Sequence, residues 1–142
     1  MTDNIVNIKL LSKSNNEGFA RVCVSAFAMQ LDPTLEDLSE IKTAVSEAVT
    51  NCIVHAYKDR IGYINLKLQI LDGNILKITV KDNGDGIDDI NKAMEPCYTT
   101  GSDDRAGMGF TIMESFMDKL HVKSKVKTGT TVVMEKRIIK RK

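Results

Sequence analysis

The stretch IGYINLKLQILDGNILKITVKD, Ile61 to Asp82, alternates apolar and polar residues on both sides of Asp72-Gly73-Asn74. A period of two places alternate side chains on opposite faces of a strand. A glycine-centred tripeptide between two such runs marks a hairpin. The chain is therefore committed to an antiparallel sheet with one apolar face, and that face needs a cover. Two segments with helical spacing supply it. SNNEGFARVCVSAFAMQL carries Phe19, Val22, Cys23, Ala26, Phe27 and Leu31 at that spacing. It stops at Asp32-Pro33, because proline disfavours helical geometry in the residue before it. Thr34 is an N-cap, with Asp37 in the first turn, for a long helix reaching about Tyr57. Along it Leu38, Ile41, Val45, Ala48, Val49, Cys52, Ile53 and Ala56 fill one broad apolar arc.

The remaining segments extend this pattern. NIVNIKLLS, Asn4 to Ser12, reads as a first strand, MGFTIMESFMDKL as a short helix, and HVKSKV and TTVVMEKRI as two strands around Lys127-Thr128-Gly129. The segment after Asp89, running to Ala106, is polar and long for a structureless connection, which suggests a functional lid. The order predicts an α/β (α+β) two-layer sandwich, a mixed and mostly antiparallel sheet with helices on one face. A length of 142 residues fits one domain spanning 1–142. Lys+Arg of 20 against Asp+Glu of 19 gives a formal charge of +1, too balanced to imply nucleic acid or an anionic membrane through bulk electrostatics. The basic tail KRIIKRK reads as a solvated strand end. Cys23, Cys52 and Cys97 are widely spaced and form no CxxC pair, so they read as reduced thiols rather than a disulfide framework or a zinc site. With no apolar run of about 18 residues and no signal-peptide pattern, the expected location is the cytoplasm.

Three constellations carry chemistry. Glu47, Asn51 and His55 recur every four residues on a stripe beside the apolar arc. That stripe is either a plain solvent face or a pairing of a proton acceptor with an amide oxygen able to ligate Mg²⁺. VKDNGDGIDD, Val80 to Asp89, follows the second strand of the hairpin. Placing Gly86 at the glycine position of a calcium loop puts Lys81 and Lys92 where the first and last ligands belong, which excludes that site. A hairpin turn at Asn83-Gly84 needs an alternating strand after it, and DGIDDINKA does not alternate. What remains is a strand end presenting Asp82, able to accept from an exocyclic amine, with Gly84 and Gly86 permitting close backbone approach. In RAGMGF, Gly107 and Gly109 open a helix whose free N–H groups favour phosphate, and Arg105 is placed to meet a terminal phosphate. Neither a Walker glycine loop nor a dinucleotide fingerprint is present.

Taken in order, Glu47-x-x-x-Asn51, Asp82-x-Gly84-x-Gly86, Gly107-x-Gly109 and Gly129-Thr130 resemble the ATP-binding signature of the gyrase, heat-shock chaperone, histidine kinase and MutL superfamily. Beyond these motifs, ARVCVSAFAMQLDPTLEDLSEIKTAVSEAVTNCIVHAY and GMGFTIMESFMD resemble the small anti-sigma serine kinases of spore-forming bacteria. The likeness covers nearly the whole chain and departs at Ala56 and Ala106, where the family often has Gly and Ser. It implies a Bergerat-type ATP-binding fold using ATP and Mg²⁺. By this resemblance Glu47 is the base that activates the attacking hydroxyl, Arg105 is the second catalytic residue and helps neutralise the phosphates, and Asn51 is the Mg²⁺ ligand. Asp82 reads the adenine amine, Gly84 and Gly86 shape its pocket, and Thr130 supports it. Gly107, Met108 and Gly109 lie along the phosphates. His55, Ile87 and Phe110 complete the nucleotide set, and a lid over about 88–106 contributes Thr99 and Thr100.

The same resemblance implies a homodimer with two protein partners. One is a sporulation sigma factor held inactive; the other is an anti-anti-sigma factor that serves as kinase substrate. The expected partner surface is the first helix, at Asn16, Glu17 and Arg21. Two alternatives stay open: a stress-response anti-sigma kinase of the same family, and a non-catalytic module that uses ATP only to set its shape.

Overall fold

A computed structural model describes residues 1–87 and 109–139. Five strands form one sheet in the order β1-β2-β3-β5-β4. They are β1 (Thr2–Leu11), β2 (Tyr63–Leu71), β3 (Ile75–Asp82), β4 (Lys119–Lys125) and β5 (Gly129–Arg137). All neighbouring pairs are antiparallel, so the expected mixed sheet is in fact uniformly antiparallel among the described residues. The β2–β3 hairpin closes as its sequence requires. Asp72 and Gly73 adopt left-handed conformations, with φ of 52° and 77°, and Asn74 N–H donates to the Leu71 carbonyl. β5 inserts beside β3, so the last hairpin returns to the centre of the sheet.

Helices α1 (Asn15–Ala28), α2 (Leu35–Asn51) and α3 (Gly109–Phe116) pack over the apolar face. Alternation sends Ile64, Leu66, Leu68 and Ile70 of β2, Leu76, Ile78 and Val80 of β3, and Val132 and Met134 of β5 into this core. Ile41, Ala44, Val45, Ala48 and Val49 of α2 meet them. Thr34 caps α2 with a full capping box: its hydroxyl accepts from Asp37 N–H at 3.0 Å, and the Asp37 carboxylate accepts from Thr34 N–H at 3.2 Å.

Several boundaries and faces differ from the sequence reading. α1 buries Ala20, Val24, Phe27 and Ala28, while Phe19, Val22 and Ala26 face outward. Ala20 and Ala28 join Val24 and Phe27 on the buried face, and Phe19 and Val22 of the expected apolar set lie on the far side. A single 3-10 turn, Met29–Leu31, links α1 to the left-handed Asp32. The long helix ends at Asn51 and continues as a π turn, Cys52–Ala56, in which Tyr57 N–H reaches back to the Cys52 carbonyl. Lys119 and Leu120, read as helix, open β4 instead.

The two sheet edges are unlike. β1 exposes Ile5 and Val6, whereas β4 presents Lys119, Lys123 and Lys125 to solvent. Among the described residues no helix is long and apolar enough to cross a membrane.

Because the capping box satisfies two orphan donors of α2, Thr34→Ala is expected to lower unfolding stability by about 1 kcal/mol. A urea titration followed by circular dichroism measures this, with little change in the slope of the transition.

Candidate functional site

The inward register of β3 runs Leu76, Ile78, Val80, Asp82, so the period that builds the core also drives a carboxylate into it. Asp82 is only 5% exposed. Its Oδ1 accepts from Gly84 N–H at 2.9 Å and from Thr130 N–H at 3.2 Å, across the β3–β5 pairing that sets Thr130 opposite it. Its Oδ2 accepts from the Cys52 thiol at 3.4 Å. Burial raises the Asp82 pKa above the usual carboxylate value; these hydrogen bonds pull against that rise, and the nearby Asp85 charge adds to it.

The backbone around this carboxylate is packed too closely for side chains at three glycines. A methyl group on Gly84 would fall 2.4 Å from the Ala56 carbonyl oxygen, and one on Gly129, where φ is 135°, would fall 2.1 Å from the Asp82 carbonyl oxygen. Gly86 has φ of 77°, and a methyl there would meet the Lys125 carbonyl oxygen at 2.2 Å. Cross-links hold the loop in place. Asp85 N–H donates to the Ala56 carbonyl, Lys127 N–H to the Asp85 carbonyl, and Ile87 N–H to the Ser124 hydroxyl. Ser124 and Thr130 hydroxyls share a hydrogen bond of 2.7 Å. The Tyr57 hydroxyl accepts from Asn83 N–H and donates to the Tyr63 carbonyl, each at 2.7 Å.

The second half of the site lies on α2. Glu47 and Asn51 are half-buried and one turn apart. The first residue of α3 sits directly over both. A methyl group on Gly109 would lie 3.1 Å from Asn51 Nδ2, 3.3 Å from Asn51 Oδ1 and 3.5 Å from Glu47 Oε2. A side chain at this position would press on Asn51, which would have to give by a few tenths of an ångström, and would be in ordinary contact with Glu47. His55 is half-buried in the π turn. A π turn adds one residue to the helical repeat, a feature frequent at functional sites, and here it delivers the Ala56 carbonyl to the glycine loop.

The fold thus groups Asp82, Gly84, Gly86 and Thr130 on one side, and Glu47, Asn51 and Gly109 on the other. The link between them is continuous chain, from Asn51 into Cys52, whose thiol reaches Asp82. Ile87 is half-buried against the core, and Phe110 is a core residue at 7% exposure. Thr99, Thr100, Arg105, Gly107 and Met108, with the expected lid over 88–106, lie outside the described residues.

On α1, Asn16 Nδ2 donates to the Leu11 carbonyl, which fixes the start of the helix. Glu17 turns inward to accept from the Ser46 hydroxyl, next to Glu47, and Arg21 pairs with Glu17 at 3.8 Å while staying exposed. Sequence reasoning missed Cys52, Tyr57 and Ser124 as builders of the site. Their signal is non-local, since each acts on a segment distant in the chain.

Comparison with known proteins identifies the family of the chain. Residues 13–136 fit the histidine kinase-like ATPase domain family. An anti-sigma F factor from Caldanaerobacter subterraneus is 56% identical over 137 residues, covering 96% of this chain and 95% of its own length. One from Clostridium botulinum is 52% identical over 139 residues, covering 96% of each. This chain belongs to the anti-sigma F factor family. That family is a branch of the histidine kinase-like ATPase domains, and solved structures agree at the level of fold. The RsbU and RsbW domains of a Mycobacterium tuberculosis protein superpose with a TM-score of 0.71 at 18% identity, over 95% of this chain and 32% of that one. The mycobacterial sensor histidine kinase MprB gives 0.60 at 13% identity, over 94% of this chain and 98% of that one.

A carboxyl group whose pKa is raised by folding takes up a proton more readily in the folded state. Ionised Asp82 therefore costs stability at neutral pH, and the cost fades as pH falls through its raised pKa. Asp82→Asn keeps an acceptor for Gly84 and Thr130. Its urea midpoint at neutral pH is expected to equal or exceed that of the wild type, with the difference narrowing on acidification.

Proposed function

We propose that the chain binds Mg²⁺ and ATP at this site, holds a sporulation sigma factor inactive, and phosphorylates a serine of an anti-anti-sigma factor. The observation that carries the reading is the approach of Gly109 to Glu47 and Asn51, which sets the start of a helix over a carboxylate and an amide one turn apart. The residues present fit such a ligand. The Gly109 cradle is space that a side chain would fill, and Asp82 keeps an acceptor at the end of the core. Bound Mg·ATP supplies the transferable phosphoryl group and the cationic neutralisation that phosphoryl transfer requires. Asn51 holds the cation through its amide oxygen. Asp82 orients the base by accepting from an amine. Glu47 takes the proton of the serine hydroxyl as the new oxygen–phosphorus bond forms and the bond to the leaving diphosphate breaks. Arg105, Thr99 and Thr100 in the lid, with Gly107 and Met108, are assigned to the phosphates on sequence grounds.

For the partners, the support is the outer surface of α1. Arg21 is exposed there beside Phe19 and Val22, and Glu17 connects it to Ser46 on the catalytic helix. A homodimer is proposed through the β1 edge, where Ile5 and Val6 remain uncovered. The working location is the cytoplasm.

Two sets of variants test this. Glu47→Gln is expected to keep ATP and sigma-factor binding and to lose serine phosphorylation, measured with labelled ATP, Mg²⁺ and the anti-anti-sigma protein. Full phosphorylation by that variant removes Glu47 as the base. Asp82→Asn is expected to weaken ATP binding by about 1–3 kcal/mol in calorimetry, the range of a lost charged hydrogen bond. Arg21→Ala is expected to weaken both protein partners while ATP affinity stays unchanged.

A further inference from the structure

The buried carboxylate at the end of β3 has about four acceptor positions. Gly84 and Thr130 occupy those of Oδ1, and the Cys52 thiol occupies one on Oδ2. We propose that Cys52 is a positioning residue of the purine subsite: its thiol fixes the plane of the Asp82 carboxylate and leaves one acceptor position on Oδ2 for an N–H of an exocyclic amine. The inference rests on the nucleotide reading of Asp82 given above.

Three observations support it. Cys52 is 4% exposed at the first position of the π turn, so its side chain has a fixed seat rather than a choice of partners. The Cys52 thiol lies 3.4 Å from Oδ2, within the reach of an S–H···O hydrogen bond. Among the described residues the thiol is the donor seen on Oδ2, whereas Oδ1 has two. An apolar side chain of similar size would fill the same space but would leave Oδ2 without that donor, and burial would then act on the carboxylate less opposed.

The groups facing Asp82 make the effect separable. Tyr57 lies at the end of the π turn, and burial keeps its hydroxyl protonated. Asp85 in the glycine loop is paired with Arg60 at 2.9 Å. β5 contributes the Thr130 N–H, the Thr130 hydroxyl shares a neutral hydrogen bond with Ser124 of β4, and β2 sets Ile64 opposite. Cys52 is thus the one side-chain donor to the carboxylate among the described residues whose removal leaves these charges in place.

The test compares wild type, Cys52→Ala and Cys52→Ser. Carboxyl-carbon NMR follows the titration of Asp82 in the nucleotide-free protein. Calorimetry follows the affinity for ATP, and for inosine triphosphate with a carbonyl in place of the amine, from neutral to mildly acidic pH. In Cys52→Ala the Asp82 midpoint is expected to move to higher pH. ATP affinity at neutral pH should change by less than about fivefold, the factor an ordinary net hydrogen bond carries, but its loss on acidification should begin earlier. Cys52→Ser restores both, because a hydroxyl donates where the thiol did. Inosine triphosphate binds weakly to all three and shows no such shift. Unchanged Asp82 titration and an unchanged ATP profile in Cys52→Ala overturn the role of Cys52. Failure of the wild type to bind ATP overturns the nucleotide reading, and this subsite with it.

Discussion

A charge at the end of an apolar column conditions the structure around it. Asp82 takes the next inward position after Leu76, Ile78 and Val80, and a carboxylate withdrawn from water must be met by donors. Thr130 can offer its N–H only if β5 begins hard against the end of β3, and that closeness excludes a side chain at Gly129. Gly84 turns its N–H back onto the same oxygen and thereby presses on Ala56. The π turn is the helix's side of this contact, since it brings the Ala56 carbonyl to Asp85 N–H. What look like separate irregularities, two tight glycines and an over-wide turn, are accommodations to one buried acid.

The acid would be isolated without α2. This helix is fixed at its start by the Thr34–Asp37 capping box and at its end by the loop that follows β3. Between those anchors it carries Glu47 and Asn51 at a set height above the sheet. α3 then closes on them through Gly109, and α1 is joined to the same stretch by the Glu17–Ser46 hydrogen bond. The outer helix α1 is therefore joined to α2 one residue away from Glu47.

Much of this was legible because the governing rules are local. Period-two alternation gave β2, β3 and the strand end that presents Asp82, and the Thr34 cap announced the start of α2. Spacing along one helix placed Glu47 and Asn51 together. Where the rule is not local, the sequence was silent or misleading. Ala20 and Ala28 bury the contact face of α1, yet they carry little hydropathy, so Phe19 and Val22 drew the eye to the wrong side. Lys119 and Leu120 continue a helical pattern until β5 recruits them as a strand. No local code specified the π turn. Cys52, Tyr57 and Ser124 owe their roles to partners 30, 26 and 37 residues away, and nothing beside them in the chain reveals this.

The unlike edges of the sheet have a consequence for how copies of the chain can meet. Unpaired strand edges invite further strands, and a molecule with two receptive edges can grow without limit. Here the row of lysines on β4 repels a second basic strand, while β1 leaves Ile5 and Val6 uncovered. An association that uses β1 on both molecules consumes the receptive edge of each and leaves lysines facing outward at either end. An assembly of that kind would close at two copies, because each receptive edge would be consumed by the other.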